Sequence, residues 1–207
     1  MTWISALPDW ISAAANVGVA VAAGVAAWQG LANLNAWRKE TVERRKIELA
    51  ELVLAQFYEA QDVFSSIRSP LTYSSENDER QGRDLESADR RRHNDTFFPH
   101  LRRIESHREF FAGLRARRYQ VIASFGVEAA EPFDEIFQIR ADIDVAGQTL
   151  IAMGPRDANE DKEDAELRSE LEKQVWQIPS NDELGARIEA TVGAVEALFR
   201  PVLMSKQ

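Results

Sequence analysis

Three histidines, His93, His100 and His107, recur at intervals of seven residues. Imidazole is a common metal ligand, and this interval keeps side chains near one face of a helix. The spacing nevertheless argues against a shared ion. Seven residues are two helical turns, about 10.5 Å, too far for two side chains on one straight helix to meet at a cation. Pro99 stands between the first two histidines, and no Glu-x-x-His of the di-iron bundle kind accompanies them. No metal site and no cofactor are expected.

The carboxylates lead no further. Asp142 and Asp144, or Asp134 and Glu135, are one or two positions apart and do not share a helical face, whereas Glu131 and Glu135 do. The chain has no Cys, no Gly-x-Ser-x-Gly and no Gly-x-Gly-x-x-Gly. The usual nucleophile and phosphate-cradling signatures are therefore missing. Without Cys there is also no disulfide framework and no thiolate metal site. Catalysis has no support in these residues, and the expected role is binding.

A third group is basic: Arg90, Arg91, Arg92, Arg102, Arg103, Arg108, Arg115, Arg117 and Arg118. Residues 1–125 hold 17 basic and 16 acidic residues, residues 126–207 hold 8 and 18. The reading preferred here is that these arginines pair with the acidic third and fourth helices. A patch facing anionic lipid is the alternative. Nucleic acid as main partner is disfavoured by the sequence pI near 5.0.

The elements that must position these residues read as helical nearly throughout, with no period-two strand. Ile47, Ala50, Leu54, Phe57 and Phe64 make one stripe, widened by Val53, Ala60 and Ile67. The helix should stop near Arg68, since Pro70 disfavours helical backbone at Ser69. Residues 70–95 are polar and read as a mobile loop. A second helix is expected over 97–125, with Leu101, Ile104, Phe111, Leu114, Val121 and Ile122 inward and Gly126 as its stop. Of the pairs Phe97-Phe98 and Phe110-Phe111, one member each should sit in the core and one at its edge. A third helix, 128–153, carries Pro132 in its first turn and ends at Gly154-Pro155. Its inward face is Phe133, Ile136, Phe137, Ile143 and Leu150. After a loop near 154–165, a fourth helix places Leu167, Leu171 and Val175 inward. Ser180-Asn-Asp-Glu183 reads as a capping box opening a fifth helix, with Leu184, Ile188, Val192, Val195 and Phe199 inward and its end at Pro201. Short connections favour antiparallel neighbours.

Ahead of all this, Trp10 to Trp37 contains no charged residue. A run of ~20 apolar residues crosses the hydrocarbon core, so the segment reads as a membrane anchor. It is rich in Ala, Gly and Val and holds Asn16 and Gln29. Trp3, Trp10, Trp28 and Trp37 flank it as an aromatic belt would. Ala14, Gly18, Ala22, Ala26 and Gly30 recur at every fourth position, a small-residue stripe that suits close helix approach and self-association. Arg38, Lys39, Arg44, Arg45 and Lys46 follow and would meet anionic headgroups. Positive-inside places the bulk of the chain in the cytoplasm and the N-terminus outside. The alternatives are a helix lying in the interface plane and a soluble fold with a buried Ala-rich N-terminal helix.

The segments Glu43-Arg-Arg-Lys-Ile-Glu-Leu-Ala-Glu51, Phe57-Tyr-Glu-Ala-Gln-Asp62, Ile67-Arg-Ser-Pro70 and Arg117-Arg-Tyr119, with this layout, resemble a family of bacterial proteins of no known activity. Its members carry one N-terminal membrane helix and a helical cytoplasmic domain. The resemblance implies an inner-membrane location and no transferable site.

The expected protein is all-α: an N-terminal membrane helix over 1–37 continuing into an up-down antiparallel bundle over 38–207. Its expected role is that of a scaffold or interaction module, contacting the lipid bilayer, a second copy through the anchor and an unknown protein partner. A membrane-perturbing effector of toxin or defence type, oligomerising through the stripe, is the second functional reading.

Overall fold

A computed structural model describes residues 9–177 and 182–204, with side chains described from residue 18 onward except at 27, 31, 32, 35 and 36. The described chain is all-helical, with no strand. Helix α1 runs Asp9–Ile67, α2 Ala88–Ser106, α3 Arg108–Phe125, α4 Glu131–Met153, α5 Lys162–Val175 and α6 Glu183–Met204. Short 3-10 turns occupy Ser74–Asn77, Arg83–Leu85 and Glu128–Ala130. The chain divides between Ile47 and Glu48 into two units.

In the first unit, residues 18–26 and 28–30 are all exposed, with Val19 at 69%, Val21 at 61%, Val25 at 51% and Trp28 at 76%. The transmembrane expectation meets a correction here. Among the described residues no helix is long and apolar enough to cross a membrane. The charge-free run is rich in Ala and Gly and interrupted by Asn16, Gln29, Asn33 and Asn35, which lowers its hydropathy below that of a span built from Leu, Ile and Phe.

The second unit is a helical bundle with a continuous core. In α1, Ala50, Val53, Phe57, Ala60, Phe64 and Ile67 are buried at the three-and-four spacing expected of one face. Helix α4 packs against α2, α3, α5 and α6. It does so because Phe133, Ile136, Ile139, Ile143, Ala146 and Leu150 keep one apolar stripe along its length, all fully buried. Phe57 meets Phe133 edge-on at 4.9 Å, and Phe125 meets Phe199 likewise at 5.1 Å. A smaller cluster joins Phe97, Ala146, Leu150 and Val175, with Trp176 packed against it. Phe97 and Phe111 are buried while Phe98 and Phe110 lie at the edge.

Several boundaries differ from the sequence reading. Helix α2 begins at Ala88 rather than near Phe97, with the Ser87 hydroxyl accepting from the Arg90 amide at 3.3 Å. The segment 70–95 is folded into two 3-10 turns and the opening of α2. Asp95 gathers Arg80 at 2.7 Å and Arg83 at 2.8 Å there. The single helix expected over 97–125 breaks at His107. Leu167, expected inward, is 47% exposed, and its neighbour Arg168 is buried at 4%. Helix α6 runs through Pro201 to Met204. Ser180 of the expected capping box lies outside the described residues. The cap that is described is Asp182, whose Oδ1 accepts from the Gly185 amide at 2.9 Å.

Candidate functional site

Helix ends explain where the chemistry-bearing residues went. The last carbonyls of an α-helix have no partner within it, and buried ones must find donors elsewhere. Helix α1 stops at Ile67, ahead of Pro70. Its Ser66 carbonyl and those of Ser69 and Leu71 accept from the Arg103 guanidinium at 3.1, 2.8 and 2.6 Å. The same guanidinium grips the Glu76 carboxylate at 2.6 and 2.9 Å. The Ile67 carbonyl goes to His100 Nδ1 at 2.6 Å.

The end of α5 is closed in the same way from the other side. Arg68, only 2% exposed, donates to the carbonyls of Lys173, Gln174 and Trp176 at 3.0, 3.0 and 2.8 Å. It also meets both oxygens of Asp182, at 3.0 and 2.7 Å. The Gln177 amide returns a bond to the Arg68 carbonyl at 3.0 Å. One guanidinium thus ties the end of α1, the end of α5 and the cap of α6. At the end of α4, Arg90 donates to the Ile151 carbonyl, Arg168 to the Gly154 carbonyl and His93 Nε2 to the Leu150 carbonyl, at 3.0, 3.0 and 2.7 Å. Hydrogen bonds with a charged donor contribute roughly 1.5–3 kcal/mol each.

His100 stands at the centre of this junction and is wholly buried. The Trp176 indole Nε1–H donates to its Nε2 at 3.0 Å. Indole nitrogen only donates, so Nε2 is unprotonated and Nδ1 carries the proton given to Ile67. The ring is therefore neutral in a defined tautomer. Burial first, opposed by the Ile67 hydrogen bond and reinforced by Arg103, lowers its basicity below the ordinary histidine value. Burial likewise lowers His93, whose ring leans on Phe97 at 5.0 Å. His107 turns its Nδ1 to the Arg103 carbonyl at 2.8 Å, at the break between α2 and α3. The three histidines therefore serve three different carbonyls. Among the described residues no three His, Cys, Asp or Glu are grouped so as to hold a metal ion.

Beside the junction lies an open cleft of about 530 Å³ between Pro70–Asn77, the Arg92–Thr96 turn of α2 and Trp176. Thr72, Ser74 and Thr96 line it with hydroxyls, and Trp176 forms one wall.

The arginine group is used differently from the expectation. Arg118 does reach α4, at Asp134, 2.8 Å away. Arg102 pairs with Glu79, and Arg108 with Glu105 at 3.5 Å. Arg92 pairs with Asp89, and Arg91 donates to the Arg83 carbonyl at 3.1 Å. Arg117 bonds Gln120 at 2.9 Å, and Arg115 lies over the Phe137 ring at 4.6 Å. Of the nine, only Arg118 pairs with a carboxylate of the acidic third and fourth helices expected from sequence; the others meet carbonyls, carboxylates between Glu76 and Glu105, Gln120 or the Phe137 ring. Of the paired carboxylates, Glu135 and Asp142 share Arg187, at 2.8 and 3.0 Å, and Asp144 accepts from Gln148 at 3.0 Å.

In the first unit Gly18, Ala22, Ala26 and Gly30 are exposed, and the Ala14 side chain lies outside the described ones. Arg38, Lys39, Arg44 and Arg45 are exposed and Lys46 partly so. Lys39 and Arg44 make helical-turn pairs with Glu43 at 4.0 Å and Glu40 at 3.3 Å.

Sequence reasoning passed over Arg68, Arg168, Trp176 and Asp182. One signal was present: Arg168 precedes Leu171 and Val175 at the three-and-four spacing of an inward face. Arginine at such a position is buried only with partners. The chain matches no protein-family model, no curated protein and no solved structure.

Proposed function

We propose that the protein is a membrane-associated helical scaffold, held at the bilayer by its N-terminal helix and presenting the bundle of residues 48–207 to protein partners. One observation carries this reading. Val19, Val21, Val25 and Trp28 are exposed in a stretch with no charged residue. Val21, Val25 and Trp28 follow the i, i+4, i+7 spacing of one helical face, Val19 lies on the opposite side, and Ala and Gly fill the sides between. A helix that is apolar all round is stable inside a protein core or in lipid. Lipid matches this one, whose described side chains over 18–26 and 28–30 are exposed. The exposed Arg38, Lys39, Arg44 and Arg45 beyond it suit anionic headgroups, worth ~1 kcal/mol per residue near the surface. A basic flank of this kind suits the negatively charged face of a membrane.

The absence of a matched relative leaves the partner unnamed, and the buried, mutually satisfied arginines and histidines support a structural rather than a catalytic use. Fractionation of cells expressing the full chain tests the reading. The chain should sediment with membranes, resist extraction by high salt, and leave them in detergent. Recovery in the detergent-free supernatant overturns it.

A further inference from the structure

We infer that the His100–Trp176 hydrogen bond is an acid-released latch that holds the end of α5 to the end of α1. The imidazole is clamped between two elements. Its Nδ1–H goes to the carbonyl of Ile67, the last residue of α1, at 2.6 Å. Its Nε2 accepts from the indole of Trp176, the first residue after α5, at 3.0 Å. Neutral imidazole can serve both neighbours at once, since one nitrogen donates and the other accepts. Imidazolium cannot, because both of its nitrogens donate and one would face the indole N–H.

Nothing nearby receives the added charge. The ionised groups acting on the ring are Arg103 from α2, Arg68 at the end of α1 and Glu76 from the 3-10 turn. Two of the three are cations. Glu76 is already held by both arms of Arg103, and Asp182 by both arms of Arg68. From α5 the ring meets an indole, and from α1 a carbonyl. A proton on Nε2 is therefore accommodated only by moving Trp176 away and admitting water.

Trp176 has somewhere to go. It is partly exposed and already forms a wall of the cleft between Pro70–Asn77 and α2. Its remaining ties are its packing on the small cluster of Phe97, Ala146, Leu150 and Val175, including the ring stack on Phe97 at 5.3 Å, and its backbone bonds to Glu172 and Arg68. Burial, with Arg103 and Arg68, keeps the ring's basicity below the ordinary value. The latch is accordingly shut at neutral pH and released only at a pH below the ordinary histidine range.

The test is a pH titration of the full chain in detergent solution, from about pH 7.5 to 5.0, observing indole ¹⁵N–H and histidine ring ¹³C–H resonances by NMR. Trp176→Phe and His100→Gln identify the two signals. In the wild type, solvent exchange of the Trp176 indole should accelerate at least tenfold, with the midpoint at which His100 takes up its proton. His100→Gln, whose carboxamide oxygen accepts from the indole without titrating, should hold the indole signal constant over the range. An indole indifferent to acid in the wild type overturns the latch, as does the same acid response in His100→Gln. Should His100→Gln fail to fold, separate midpoints for His100 and Trp176 in the wild type overturn it equally.

Discussion

Arg68 and Asp182 meet through two parallel hydrogen bonds, Nη1 to Oδ2 at 3.0 Å and Nη2 to Oδ1 at 2.7 Å, across a separation of 114 residues. The arginine is 2% exposed and the aspartate side chain 15%. Removing one partner of such a pair strands the other. Arg68→Ala should lower unfolding stability by about 3–5 kcal/mol, because it also frees three α5-end carbonyls. Arg68→Met combined with Asp182→Leu should recover part of the loss. Urea denaturation of both variants measures it, and equal losses would show that the carboxylate is not the arginine's principal partner.

Trp176→Phe keeps the stack on Phe97 and removes only the donor to His100. A buried acceptor left without a partner costs about 1–3 kcal/mol. The denaturation midpoint should fall accordingly at neutral pH. His100→Gln combined with Trp176→Phe should lose less than the sum of the two single changes.

Stability against pH should fall in two stages. His100 and His93 have lowered basicity in the fold, chiefly through burial. The unfolded chain then binds more protons below ~6.5, so stability present at neutral pH drops as pH falls through that value. Glu76 is held below the usual carboxylate range chiefly by Arg103, Asp95 chiefly by Arg83 and Glu86 chiefly by Arg80. Their contribution is complete above ~4.3 and is lost as pH falls below it. Urea midpoints at a series of pH values from neutral to about 3 should show both steps, the first reduced in His100→Gln. A flat profile down to about 4.5 contradicts the first assignment.

Gly154 closes α4 at φ +76°, a conformation that L side chains rarely adopt, and a Cβ there would meet the Arg90 guanidinium. Gly154→Ala should destabilise by about 1 kcal/mol or more. Gly18→Ala, at a helical position with open space around it, should be nearly neutral or slightly stabilising. Comparing the two thermal midpoints tests the assignment.

For the N-terminal helix, Val21→Arg and Val25→Arg each introduce a charge into the exposed apolar stretch. Each change should weaken membrane partitioning, read as a larger unbound fraction of the chain after flotation with vesicles. Gly18→Ile with Ala22→Ile should reduce crosslinked oligomers of the full chain if the small stripe is a contact between copies. Unchanged crosslinking assigns the stripe to composition alone.

Local periodicity was enough to reveal the core faces of this chain. Ala50, Phe57 and Phe64, or Leu184, Ile188 and Val195, are legible because burial of an amphipathic helix repeats at 3.6 residues whatever it packs against. Stops at Arg68, Gly126 and Gly154 were legible for the same reason: Pro and Gly act on the backbone locally. What packed against each helix end was decided only by tertiary structure. His100 looked like one of three possible ligands, and Arg103 like part of a basic patch. Each caps the end of α1 because α2 happens to pass there. Arg168, which breaks an apolar pattern, is buried because Glu160 and the Gly154 carbonyl wait at its tip. Such pairings join residues far apart in sequence, and orphan carbonyls can be served by any donor the fold delivers. A single sequence therefore names the helices but not the partners of their ends.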